Sequence, residues 1–201
     1  GYVQTARGLG LIDRVTMVEG QPAKRAHIAQ MVYNALEVNM LEKVEVQGGG
    51  NMYMESKQNW LKDKLKITRS YGTLLADETD TMSADGTTAR PGYALFFDET
   101  SNKNISIAKN NISLSGFLGK TVDFYYNTDI YGTNNLVLVL GKGDSNSSVK
   151  VDAENINKIA GDYTTGYSVE YYESATATKT KTLSVTPNPI ISINGEVKTN
   201  V

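Results

Sequence analysis

Apolar residues recur at helical spacing in one part of this chain. In "QPAKRAHIAQMVYNAL", residues 21–36, Ile28, Val32, Ala35 and Leu36 fall at i, i+4, i+7 and i+8 with Met31 beside them, which predicts an amphipathic helix. Pro22 suits its first turn, where a missing N–H costs nothing, and Gly20 ends the loop before it. Upstream, "TARGLGLID" (5–13) reads as the tail of another short helix broken by Gly8 and Gly10. Downstream, "QGGGNMYMES" (47–56) puts three glycines in a row, removing side-chain packing and backbone preference together, as a linker does. "SKQNWLKDKLKI" then predicts a helix of about two turns, with Trp60, Leu61 and Leu65 apolar and Trp60 anchoring a core where two domains meet.

From residue 67 the period changes. Short runs rich in Thr, Val, Ile and Tyr are bounded by Gly, Asn and Asp, the pattern of strands and turns. In "TVDFYY" (121–126), Val122, Phe124 and Tyr126 alternate with Thr121, Asp123 and Tyr125, whereas "NLVLVL" (135–140) is apolar without a break and suits a strand covered on both sides. "NTDIYGTN" between them makes the pair a hairpin. "GKTVDFYY" at Gly119 and "GYSVEYYE" at Gly166 match at a constant offset, with Val122/Val169, Asp123/Glu170, Phe124/Tyr171, Tyr125/Tyr172, Leu136/Leu183 and Leu138/Val185 keeping their chemical type, and we read a duplicated hairpin unit. "GKGDSNSS" (141–148) is the flexible joint between the copies.

The elements predict an α+β chain that is mainly β: a short N-terminal helical segment followed by small antiparallel β-barrel or sandwich-like modules. The expected divisions are a helical segment over 1–46, a glycine linker over 47–56, a helix with a first β module over 57–142, and a second β module over 143–201 that breaks off at its end. The abrupt opening at Gly1-Tyr2-Val3 reads as the start of an excised piece.

Composition narrows the chemistry. The chain has 201 residues, 40% hydrophobic and 21% charged, and its net charge of −2 argues against a surface that neutralises nucleic-acid phosphates. No apolar run approaches the roughly 18 residues of a membrane helix. With no cysteine there are no disulfides, thiolate metal sites or cysteine nucleophiles. His27 is the single histidine and has no acidic residue one turn away, so it reads as a packing or solvent-facing side chain rather than a catalytic base or a zinc ligand.

"ADETDTMSADG" (76–86) gathers Asp77, Glu78, Asp80 and Asp85 but lacks the alternation of a calcium loop, so it reads as a solvated acidic turn. Asp123 and Glu170 alternate with core positions and belong on exposed strand faces, not in a glycosidase pair. "GLGL" at Gly8 and "GKGDS" at Gly141 lack the spacing of phosphate loops. Asn104, Asn111 and Asn146 open Asn-x-Ser triplets that arise by chance in such a composition. Of the 12 tyrosines, Tyr125-Tyr126 and Tyr171-Tyr172 could present rings to a sugar, although neighbours on a strand face opposite sides and one of each pair packs inward.

"ARGLGLID", a loop and "PAKRAHIAQMVYNAL" together resemble the second half of an S-layer homology motif, the repeat that anchors surface proteins to the wall polymers of Gram-positive bacteria. Pro22, Arg25 and Ala26 match that family's Pro-x-Thr-Arg-Ala-Glu signature, while Lys24 stands in place of Thr and His27 in place of Glu. "FLGKTVDFYYN" and "IISINGEV" resemble strands of modules that follow such anchors, and the resemblances together touch about half the chain. They imply an extracellular protein of the cell wall or S-layer, structural and not an enzyme, without metal or cofactor. They also imply secondary cell-wall polysaccharide or peptidoglycan as partner, and further surface-layer subunits beside it. The family's signature arginine grips an anionic wall polysaccharide, a role a guanidinium suits because it forks onto a carboxylate. Arg25 inherits that role, with Lys24 beside it. The alternatives are a carbohydrate-binding or adhesion module, marked by an exposed row of tyrosines, and a wall-associated hydrolase, marked by a cleft with close carboxylates.

Overall fold

The structure is a computed structural model that describes residues 1–16, 20–46, 49–194 and 196–198, and the chain divides into two compact units, Gly1–Arg69 and Ser70–Val201. It is mainly β with a short helical start, the expected class.

The first unit opens with helix α1 (Tyr2–Gly8) and helix α2 (Arg25–Ala35). Helix α2 starts later than expected: Lys24 is extended at φ −72°, ψ 155°, so Pro22 stands outside the helix and not in its first turn. Its apolar stripe is buried only in part: Met31, Ala35 and Leu36 are half-buried, as the spacing expects, but Ile28 and Val32 are not. Ile28 and Val32 are 53% and 59% exposed, while Gln30, Met31 and Asn34 turn inward. The reason is hydrogen bonding. Asn34 Nδ2 donates to the carbonyls of Leu11 (3.0 Å) and Asp13 (2.9 Å), and Gln30 Nε2 donates to Asn34 Oδ1 (2.8 Å), so the helix docks by satisfying the polar backbone of the loop before it.

Strands β1 (Asn39–Val46) and β2 (Gly50–Asn59) form an antiparallel hairpin. The stretch expected as a glycine linker is therefore a strand from Gly50 onward, with Gln47 and Gly48 outside the described residues. Gly49 takes a left-handed φ of 86°, Gly50 already lies in the strand opposite Val46, and Met52, Tyr53 and Met54 continue as a ladder against Val44, Lys43 and Glu42. The helix expected next shrinks to one π-helical turn, Trp60–Lys64. Its start is capped reciprocally: Asn59 Oδ1 accepts from Lys62 N–H (2.9 Å) and Asp63 Oδ2 accepts from Asn59 N–H (2.8 Å). Leu61, not Trp60, is the anchor: it is buried and its N–H donates to the Leu36 carbonyl at 2.9 Å, whereas Trp60 is 54% exposed.

The second unit is built on a closed five-stranded barrel of β3 (Ile67–Ala76, which enters the unit at Ser70), β4 (Tyr93–Asp98), β5 (Lys103–Ala108), β6 (Thr121–Thr128) and β7 (Asn134–Gly141). The order around the barrel is β3-β4-β5-β7-β6, a Greek key in which β7 inserts between β5 and β6 and meets β5 in parallel. Closure is made where Leu74 N–H donates to the Lys120 carbonyl and Gly119 N–H donates to the Leu74 carbonyl, at 3.2 and 2.8 Å. Alternation puts Leu74, Ala94, Phe96, Ile107, Val122, Phe124, Leu136 and Val139 inside, and Leu114 from the β5–β6 loop joins the same core. Phe96 and Phe124 stack at 4.6 Å between ring centroids. Strand β7 is covered on one side only: Val137, Leu138 and Leu140 face outward and are exposed.

A three-stranded antiparallel sheet follows, ordered β10-β9-β8 from β8 (Ile156–Asp162), β9 (Gly166–Tyr172) and β10 (Thr180–Val185), then a short hairpin of β11 (Ile191–Ile193) and β12 (Glu196–Lys198). The two matched segments are both antiparallel hairpins, β6–β7 and β9–β10, and Val122/Val169 and Phe124/Tyr171 each begin them alike. Their outgoing strands do not correspond. Val122 sits opposite Gly141 and Leu136 opposite Tyr126, but Val169 sits opposite Leu183, so the offset that aligns the first strands misaligns the second by several residues.

Candidate functional site

The residues carried over from the wall-binding signature stand at the start of α2. Lys24 is the N-cap and Arg25 the first helical residue; both are exposed. A lysine cap offers no oxygen to the orphan N–H groups of the first turn. Half of the capping is done from the other side: His27 Nδ1 accepts the Lys24 backbone N–H at 3.3 Å, so His27 fills the role that a glutamate takes in a capping box. The lone histidine is thereby a local structural device. Helix α2 carries no acidic residue in its first turn, and Lys24 and Arg25 concentrate positive charge where the helix dipole is already positive, a combination that favours an anion there.

A second polar surface lies within the first unit, a groove of about 510 Å³ to which neither Lys24 nor Arg25 contributes. The turn after α1 supplies Asp13 and Arg14, helix α2 supplies Gln30 and Asn34, the residues just past its end supply Glu37, and Asn39, Glu55 and Arg69 complete it. Arg69 Nη1 donates to both oxygens of Glu37 at 3.0 and 2.8 Å, and Asn39 Nδ2 donates to Glu55 Oε1 at 2.9 Å. Arg14 is held at φ 59°, and among the described residues no carboxylate pairs with it. Among the described residues the groove thus offers the Arg14 guanidinium outside any ion pair, beside amides and paired ions, a surface for hydrogen-bonding a polar ligand rather than a nucleophile and base poised for catalysis. These residues come from four separate stretches; Asp13, Gln30 and Asn34 lie inside the segments that carry the wall-anchor resemblance, but no spacing in the sequence joins them to Arg14, Glu55 and Arg69.

The acidic stretch after β3 is committed to its own loop. Asp77 Oδ1 accepts from the N–H groups of Thr79 and Asp80 at 2.8 and 2.9 Å. Glu78 accepts from Gly92 N–H (2.6 Å) and Lys109 Nζ (2.8 Å), and the two contacts hold its carboxyl below the usual range. Asp85 takes the Ser83 hydroxyl and the Thr87 N–H, which lower it to about 2. Among the described residues no group of three or more such side chains is arranged to hold a metal ion. Asp123 and Glu170 occupy β6 and β9, opposite Leu140 and Thr182 respectively. The tyrosine pairs make no exposed row: Tyr125 and Tyr171 are buried and their neighbours are half-buried. Among the described residues no helix is long and apolar enough to cross a membrane. Comparison with known protein families, with curated proteins and with solved structures finds no match for this chain.

Proposed function

We propose that the chain is a structural segment of a cell-surface protein of a Gram-positive bacterium, in which a partial wall-anchoring motif carries a series of small extracellular β units. The observation that supports it most is the stripe of Ile28 and Val32 on α2. A repeat motif cannot bury its apolar face alone and offers part of it to a neighbouring repeat, and here Ile28 and Val32 are exposed while Met31, Ala35 and Leu36 are half-buried and Asn34 bonds the loop before the helix. The basic start of α2 at Lys24 and Arg25 then meets an anionic wall polymer through the signature position. Purified sacculi, with and without their secondary polysaccharide, test this: the chain should pellet with intact sacculi, and Arg25→Ala should cut the bound fraction severalfold. Equal pelleting of both proteins removes Arg25 from the reading, and no pelleting removes the anchor.

A second reading, binding of a soluble saccharide, is favoured by the polar groove around Arg14. In that case Arg14→Ala abolishes heat of binding to wall-derived oligosaccharides in calorimetry while Arg25→Ala leaves it unchanged.

A further inference from the structure

The hairpin of β1 and β2 is exposed along nearly its whole length, and among the described residues β1 pairs with β2 alone. Its other edge presents a row of backbone N–H and C=O groups, and the charges it carries, Glu42, Lys43 and Glu45, oppose pairing with any strand that does not answer them. The register fixes which side chains share a face. Lys43 and Glu45 stand opposite Tyr53 and Asn51 on one face; Glu42 and Val44 stand opposite Met54 and Met52 on the other. Val44 and Met52 are 39% and 49% exposed, and neither Lys43 nor Glu45 has an ion-pair or hydrogen-bond partner among the described residues.

We propose that β1 pairs antiparallel with β1 of a second copy of this chain, in the register that sets Val44 opposite Val44 of that copy. A two-fold axis normal to the sheet keeps each face on its own side, so the residue at the axis must meet its own copy. Registers centred on Glu42, Lys43 or Glu45 put like charges directly opposite, and one centred on Leu41 leaves Lys43 and Glu45 without unlike partners. The register centred on Val44 sets Lys43 against Glu45 of the second copy twice over, once on each side of the axis. It also joins Met52, Val44 and their two copies into one apolar row across four strands. A pair of marginal two-stranded ribbons becomes a four-stranded sheet. The end of β2 offers no comparable edge, because Glu55 is bonded to Asn39 within the hairpin and Ser56 is buried against the Gln58 backbone.

Sedimentation velocity on the full chain tests the pairing across protein concentration at low salt. The contact is small, so the expected dimer is weak, with a dissociation constant on the order of 10–100 µM. Lys43→Glu or Glu45→Lys alone should each raise that constant about tenfold, since each change faces like charges at both symmetric contacts. The double variant Lys43→Glu with Glu45→Lys should restore wild-type association, which simple loss of folding could not produce. A monomer at every concentration, a dimer indifferent to the single changes, or a double variant no better than the singles overturns the proposal.

Discussion

Helix α2 is under-capped at its first residue, and the two positions where it departs from the wall-binding signature are the two that cap it. Lys24 supplies no acceptor, and His27 supplies a neutral one where a carboxylate would also answer the helix dipole. His27→Glu should therefore stabilise the first unit by about 0.5–1 kcal/mol, and Lys24→Thr by about 1 kcal/mol, read as a rise in thermal midpoint. Asn146 makes the opposite case, a polar residue already fully used. Its Oδ1 accepts Thr121 N–H (2.8 Å) and its Nδ2 donates to the carbonyls of Thr121 (2.6 Å) and Lys142 (2.9 Å), pinning the start of β6 to the end of β7. Asn146→Ala should cost about 1–3 kcal/mol by leaving those backbone groups unmet, measured by urea unfolding. This is a firmer role than the chance Asn-x-Ser triplet it opens.

Among elements, β3 and β4 are held at a separation that only glycine permits. Gly72 lies opposite Asp98, and a Cβ there would sit 1.8 Å from the Phe97 carbonyl oxygen. Gly72→Ala must push the two strands apart and should lower stability by roughly 3 kcal/mol, with loss of the strand signal in circular dichroism at a lower temperature. At the same end of β4, the buried Asp98 carboxylate accepts from Ser70, from Ser101 Oγ at 2.6 Å and from Thr100 N–H at 3.0 Å. Burial alone would raise its pKa; the three donors outweigh that and keep it below the usual carboxylate range. Asp98→Ala should destabilise the barrel by about 2 kcal/mol in the same unfolding measurement.

For the molecule as a whole, the second unit's shifted carboxylates lean one way. Asp85 is lowered by the Ser83 hydroxyl and Asp162 by the Thr164 hydroxyl, each to about 2 from an ordinary 3.8, and Asp98 and Glu78 are lowered as well. A carboxylate whose folded pKa is depressed adds stability above its unfolded pKa and loses it as pH falls through the folded one. The second unit should hold a constant melting temperature from neutral pH down to about 4 and lose it steeply between about 4 and 2. Melting curves across that range check the expectation, and a decline beginning near pH 6 would contradict it.

Much of the class was legible in the sequence because period-two alternation survives in the barrel strands, where Val122 and Phe124 point inward as their spacing demands. The helix face was legible only in part, since hydrophobic spacing cannot report that Asn34 would dock on loop carbonyls more than twenty residues upstream. Nor was the strand after the triple glycine, because a turn and a linker draw on the same backbone freedom and differ only in whether Met52 and Val44 find each other across it. The groove around Arg14 stayed hidden for a related reason: it exists only once residues 8 and 69 are brought together.

The meeting of Leu74 with Gly119 and Lys120 also sets an order in time. Strands β3–β4–β5 and β6–β7 can form from neighbours in the chain, but the second edge of β3 must wait for a partner that follows two intervening strands and a long loop. Until then Leu74 and Phe96 lack the Val122 and Phe124 side of their core, and the face they share is the part of the unfinished barrel open to misassociation.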